Sequence, residues 1–124
     1  MAANPRVRNG ARRKKHSKRL KAERRQCWIC QEFGRPADID YSLPFLHPMA
    51  FVIDELVPIS RYYEGGYDSP EQCAQDYNNL AAAHRSCNAW RSNKSVAEVR
   101  AIARAERDGG PVGDRLPLPV PWDL

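Results

Sequence analysis

Four residues in two pairs carry the first chemical signal in this chain. Cys27-Trp28-Ile29-Cys30 and His84-Arg85-Ser86-Cys87 share the same spacing, which lets a tight turn present two ligand atoms to one ion. Together they offer three sulfurs and one imidazole, the set of a closed tetrahedral zinc site with no position left for a reactive water. Cys27, Cys30, His84 and Cys87 are therefore assigned to a structural Zn2+. The competing reading makes Cys27 and Cys30 plain reduced thiols and His84 a residue of a helix surface. Cys73 stands outside both pairs and reads as a lone buried thiol. A further feature is the adjacent acids Asp54 and Glu55, set in the otherwise apolar run from Ala50 to Val57.

The elements that must position these residues are short. The run from Ala50 to Val57 is rich in β-branched and aromatic residues and predicts a strand, ended by Pro58. Neighbours in a strand face opposite sides, so Asp54 and Glu55 share an apolar face only if the strand ends or twists there. Ser69 as N-cap and Pro70 at the first helical position predict a short helix reaching about Tyr77. Leu80 to Ala83 is ambiguous between a second strand and the run-in to a helix, and propensity favours helix. From about Arg85 a helical stretch follows, with Val96, Val99, Ile102 and Ala103 at helical spacing until Gly109-Gly110 stops it. The segment from Gly34 to Pro48 reads as an irregular connection. Pro111, Pro117, Pro119 and Pro121 predict an extended tail.

A chain of 124 residues has room for one domain, and its basic and proline-rich ends shrink the foldable part. The three parts expected are a basic arm over 1–23, a zinc-stapled α+β domain over 24–108 and the tail over 109–124. So small a unit buries too little apolar surface to be comfortable without a staple such as a metal. Charge is divided unevenly. Residues 1–25 hold eleven lysines and arginines against one acid, Glu23, whereas the remainder holds nine basic and fourteen acidic side chains. Such a division suggests an arm for a polyanion, mobile alone or helical once phosphate neutralises it; a solubilising tail is the bland alternative. No run approaches the ~18 apolar residues of a membrane span, and the N-terminus lacks a secretory pattern. The expectation is a cytoplasmic protein in which thiols stay reduced.

Several motifs in order resemble one family. Cys27-x-x-Cys30, then Ile53-Asp54-Glu55-Leu56-Val57-Pro58-Ile59-Ser60, Asn79-Leu80 and His84-x-x-Cys87-Asn88 with a basic stretch to Lys94 resemble the HNH endonucleases. The similarity covers about residues 24 to 96 and is closest to the small HNH proteins of bacteriophages. It implies a ββα-metal, treble-clef-like fold, in which a hairpin and a helix hold a divalent ion over the scissile phosphate.

Carried over residue by residue, the resemblance places a catalytic Mg2+ or Mn2+ on Asp54 and Asn88, hard oxygen donors suited to such ions. Asn79 matches the middle Asn, which braces the loop behind the general base. Glu55 stands where the family pattern has His, although some phage relatives are similar in carrying Asp-Glu. An unperturbed glutamate, with a pKa of about 4.3, is a weaker base than imidazole. His47 is the alternative base if its loop folds back over the hairpin. Arg24, Arg25, Arg85, Arg91 and Lys94 border the motifs and are the expected contacts to DNA phosphates. Trp28 and Trp90 are expected to pack around the knuckles rather than stack on bases. The function implied is a DNA endonuclease, with the phage terminase and packaging machinery as a partner suggested by the resemblance alone. The rival is a non-catalytic zinc module that binds DNA or a protein.

Overall fold

The structure, a computed structural model, describes residues 10–109. Residues 1–9, and the tail from residue 110 on, lie outside the described residues. The fold mixes five short α-helices with one two-stranded sheet among the described residues, an α+β arrangement. No helix among these residues is long and apolar enough to cross a membrane.

Strand β1 (Phe51–Glu55) pairs antiparallel with β2 (Leu80–His84), Phe51 opposite His84 and Glu55 opposite Leu80. The alanine-rich run 80–83, for which propensity favoured helix, is thus strand. Every residue of β2 is buried, so pairing and packing on both faces outweigh a local preference worth only tenths of a kcal/mol per residue. Residues opposite one another share a face: Val52, Asp54, Ala81 and Ala83 point one way, Ile53, Glu55, Leu80 and Ala82 the other.

Helix α1 (Gly10–Ala22) carries the basic cluster. Where the sequence suggests an arm, mobile or helical on a polyanion, the described part of it is a helix packed on the rest of the fold. Leu20 is fully buried, Arg12 Nη1 donates to Gln75 Oε1 at 2.9 Å, and the Arg19 guanidinium lies 3.8 Å from the Tyr77 ring centroid. Arg24, at φ 50°, then turns the chain into the first knuckle.

Helix α2 (Trp28–Glu32) is capped by Cys27, whose sulfur accepts from Cys30 N. Residues 34–50 form the expected irregular connection. Between the strands come a 3-10 segment (Ile59–Gly65), helix α3 (Pro70–Gln75) and a 3-10 turn (Tyr77–Asn79). Ser69 Oγ caps α3 by accepting from Gln72 N at 3.1 Å.

Helix α4 (Arg85–Arg91) leaves directly from β2. Its first amides are satisfied by the connection before β1: Arg85 N donates to Ala50 O and Ser86 N to Pro48 O, both at 2.8 Å. The single helix expected from Arg85 onward is interrupted, since Ser92 takes φ 53°, ψ −125° and α5 (Val96–Arg107) restarts at Ser95. Val99 and Ala103 of α5 join Ile29, Cys30, Phe33 and the inner face of the sheet in one core cluster.

Candidate functional site

Helix α2 brings Cys27 and Cys30, the end of β2 brings His84, and the first turn of α4 brings Cys87. All four are buried, and their ligand atoms lie within 4.8 Å of one another. Cys30 Sγ is 3.7 Å from Cys87 Sγ and 3.4 Å from His84 Nδ1, and Cys87 Sγ is 3.8 Å from that nitrogen. An ion with ligands at roughly 2.0–2.3 Å has tetrahedral edges of about 3.5–3.8 Å, so the spacing fits zinc. A disulfide would need sulfurs at about 2.05 Å; all four cysteines are free.

The imidazole is oriented for the same task. His84 Nε2 lies 3.0 Å from the Asp38 carbonyl oxygen, which can only accept, so Nε2 carries a proton and Nδ1, the nitrogen facing the sulfurs, is the one that would give its lone pair to an ion. Backbone amides also point at Cys27 Sγ, from Cys30 at 3.5 Å and from His84 at 3.4 Å. Hydrogen bonds from Cys30, then Cys87 and His84, hold the Cys27 thiol far below its ordinary range despite burial. Bonding to Cys27 and Cys30, together with burial, pushes the Cys87 thiol up. Burial disfavours the His84 cation, yet hydrogen bonds to Cys27 and Cys30 push its pKa up to about 10. Sulfurs this close repel one another as thiolates, so either protons or a cation must balance the group. The group Cys27, Cys30, His84 and Cys87 could hold a structural metal ion such as zinc.

A cleft of about 440 Å³ is lined among others by Asp54, Glu55, Ser60, Asn88 and Asn93. Asn88 follows Cys87 in α4, so whatever fixes Cys87 fixes Asn88. The two acids leave β1 on opposite faces, as strand geometry requires, and both are buried. Asp54 looks toward the knuckles: its Oδ2 accepts from Trp28 Nε1 and from Arg91 Nη1, each at 2.8 Å. Burial raises the Asp54 carboxyl above its ordinary value, with Arg91 and Trp28 only partly offsetting it. Glu55 looks toward α1, where Arg13 Nη1 donates to its Oε1 at 3.0 Å.

Asn79 sits behind Glu55 and ties the chain together. Its Oδ1 accepts from Val57 N at 2.8 Å, and its Nδ2 donates to Val57 O and Cys73 O, both at 3.2 Å. Cys73 is buried in the same brace and donates to Val57 O at 3.2 Å. His47 stays in its loop, with Nδ1 accepting from Met49 N at 3.0 Å, and is not among the residues lining the acidic cleft.

The cations expected at a DNA surface separate into different environments. Arg24 is exposed, and Arg25 pairs with Glu23 at 3.2 Å. Arg85 is partly buried with its guanidinium 5.5 Å from the Phe45 ring centroid, and Lys94 Nζ lies 4.6 Å from that of Trp90. Arg91 departs from the expectation altogether. It is fully buried, with Nη1 on Asp54 Oδ2 and on Glu55 O, Nη2 on Leu56 O, and Nε on Lys94 O. It cannot meet a phosphate while it bolts the end of α4 to β1. A signal was available, because Arg91 lies four residues after Cys87 and so on the same face of the helix. Arg13, the partner of Glu55, was missed because its segment was read as an arm.

Comparison with protein-family models, characterised proteins and solved structures finds no match.

Proposed function

We propose that this chain is a metal-dependent DNA endonuclease of the HNH type, with Zn2+ in the Cys27, Cys30, His84, Cys87 group. One observation carries the reading: Asp54, Glu55 and Asn88 line a single cleft, and Asn88 directly follows Cys87 of that group in the chain. Asp54 and Asn88 are the residues that would hold Mg2+ or Mn2+. Both hydrogen bonds to Asp54 fall on Oδ2, so Oδ1 is the oxygen left to serve as a metal donor. Such an ion would supply charge stabilisation for the phosphate and the leaving oxygen. Glu55 is the group to accept a proton from the attacking water, and Asn79 fixes the backbone after it. Arg13, whose Nη1 donates to Glu55 Oε1, holds that carboxylate in place.

A second reading draws on a specific observation. Each of the two acids is paired with an arginine of the chain, Asp54 with Arg91 and Glu55 with Arg13. A carboxylate already neutralised has less need of a metal, and this favours a non-catalytic zinc module that binds DNA.

Plasmid nicking by zinc-loaded protein with added Mg2+ or Mn2+ separates the two. The endonuclease reading expects nicking that falls by about a hundredfold or more in Glu55→Gln, and comparably in Asp54→Asn and Asn88→Ala, with zinc content and circular dichroism unchanged. Absence of nicking by folded wild-type protein with either ion leaves the second reading.

A further inference from the structure

A groove of about 830 Å³ runs between α1 and β1, apart from the acidic cleft. Lys14 and Lys21 line it from α1, Phe45 and Phe51 supply aromatic surface, and Asn88 is among its lining residues. No carboxylate is among its lining residues, so the charge facing the groove is positive. Arg12, Lys15 and Lys18 extend that charge around an adjoining hollow on α1. Phe45 is 72% exposed, an unusual position for so large an apolar ring.

We infer that this groove holds an unpaired DNA strand, with phosphates on Lys14 and Lys21 and a base stacked on Phe45. The inference rests on the nuclease reading and narrows its substrate to DNA bearing a single-stranded segment. Cations alone would serve a duplex equally well, since phosphates look alike in both forms. An exposed aromatic ring is different: it offers a stacking face that a base already paired and stacked cannot use. Asn88 lines this groove as well as the acidic cleft, so a strand lying in the groove leads to Asp54 and Glu55. Arg13 also lines the groove while bonding Glu55, which places a cation at the same crossing.

The test is fluorescence anisotropy on the full chain, zinc-loaded and without added Mg2+ or Mn2+. The probes are a short fluorescein-labelled oligothymidylate and a hairpin duplex carrying the same number of phosphates. The single strand is expected to bind about tenfold tighter than the duplex, the scale of one stacked base. Phe45→Ala, a change at an exposed position, should remove that advantage while leaving the duplex within about twofold. Lys14→Glu with Lys21→Glu should weaken the single strand further and flatten its salt dependence. Equal affinity for both probes, or a Phe45→Ala protein that binds the single strand as wild type does, overturns the proposal. So does light scattering that shows a dimer dissolved by Phe45→Ala, which would give the groove to a second copy of the chain. Because no cleavage is measured, the two readings fail separately. Phe45-dependent binding without nicking removes only the enzyme, and nicking with binding indifferent to Phe45 removes only the groove.

Discussion

At the residue scale, Arg91 decides how the site is held. Its guanidinium meets a carboxylate and three backbone carbonyls on two segments and lies 5.0 Å from the Trp28 ring centroid. Arg91→Met would leave Asp54 buried without its cation, and breaking a buried pair from one side costs about 3–5 kcal/mol. Arg91→Lys should recover little of this, because an ammonium cannot reproduce a planar fork that serves several acceptors. Asp54→Asn combined with Arg91→Met should cost clearly less than the two singly, since neither charge is then left alone. Urea unfolding at fixed zinc concentration measures all of these; equal midpoints for wild type and Arg91→Met would contradict the clamp. Sequence reasoning had placed Arg91 at the surface, where most arginines are, and the ligands inside. The ligands were legible because metal geometry fixes their spacing. The clamp was not, because an arginine buried by its partners looks in sequence like any other arginine.

Among the elements, α1 shows what sequence could not weigh. Its thirteen residues include a single buried apolar side chain, Leu20, too little for periodicity to reveal a docked face. What fastens it is spread over distant residues: Arg13 on Glu55, His16 Nε2 at 3.0 Å from Gln75 O, and the Tyr77 hydroxyl on Glu23 Oε1 at 2.6 Å. The same omission left half of the acid pair unexplained, since strand alternation put Asp54 and Glu55 on opposite faces without naming what covers the second face. Hydrogen–deuterium exchange of the protein without DNA should find the α1 amides from Lys14 to Ala22 protected. Exchange there at random-coil rates would return the segment to a free arm. Leu20→Ala should lower stability by about 2–5 kcal/mol and expose the same amides. Strand β1 and the capped start of α3 were readable because their signals are local. Ser69 Oγ accepts from Gln72 N at 3.1 Å, a cap worth about 1 kcal/mol. The break at Ser92 carries no glycine or proline to announce it; there the chain follows Arg91 into its clamp.

For the whole molecule, an ion held by the Cys27, Cys30, His84, Cys87 group would carry much of the weight, because the apolar core is small. Among the described residues, the buried apolar side chains larger than alanine and cysteine are Leu20, Trp28, Ile29, Phe33, Pro58, Leu80 and Val99, and the rest of the core is alanine and cysteine. Alanines allow β2 and α2 to approach closely, but each removes little apolar surface from water. At the centre are three thiols and an imidazole drawn from α2, β2 and α4, which burial alone would drive apart or protonate. Zinc bound by such a set contributes roughly 10–16 kcal/mol, as much as the ~5–15 kcal/mol by which ordinary domains are stable. The protein should therefore carry one equivalent of zinc by elemental analysis and lose its cooperative thermal transition when a strong chelator removes the ion. Restoring Zn2+ should restore the transition, and Co2+ should replace it with the visible absorption of a tetrahedral thiolate site. Cys27→Ser and Cys87→Ser should each abolish stoichiometric zinc, whereas Cys73→Ser, outside the group, should keep it. A protein that melts at the same temperature before and after chelation would show that the ligands converge without the ion. The cleft beside Asn88 would then have to owe its shape to the Arg91 clamp and the docked α1.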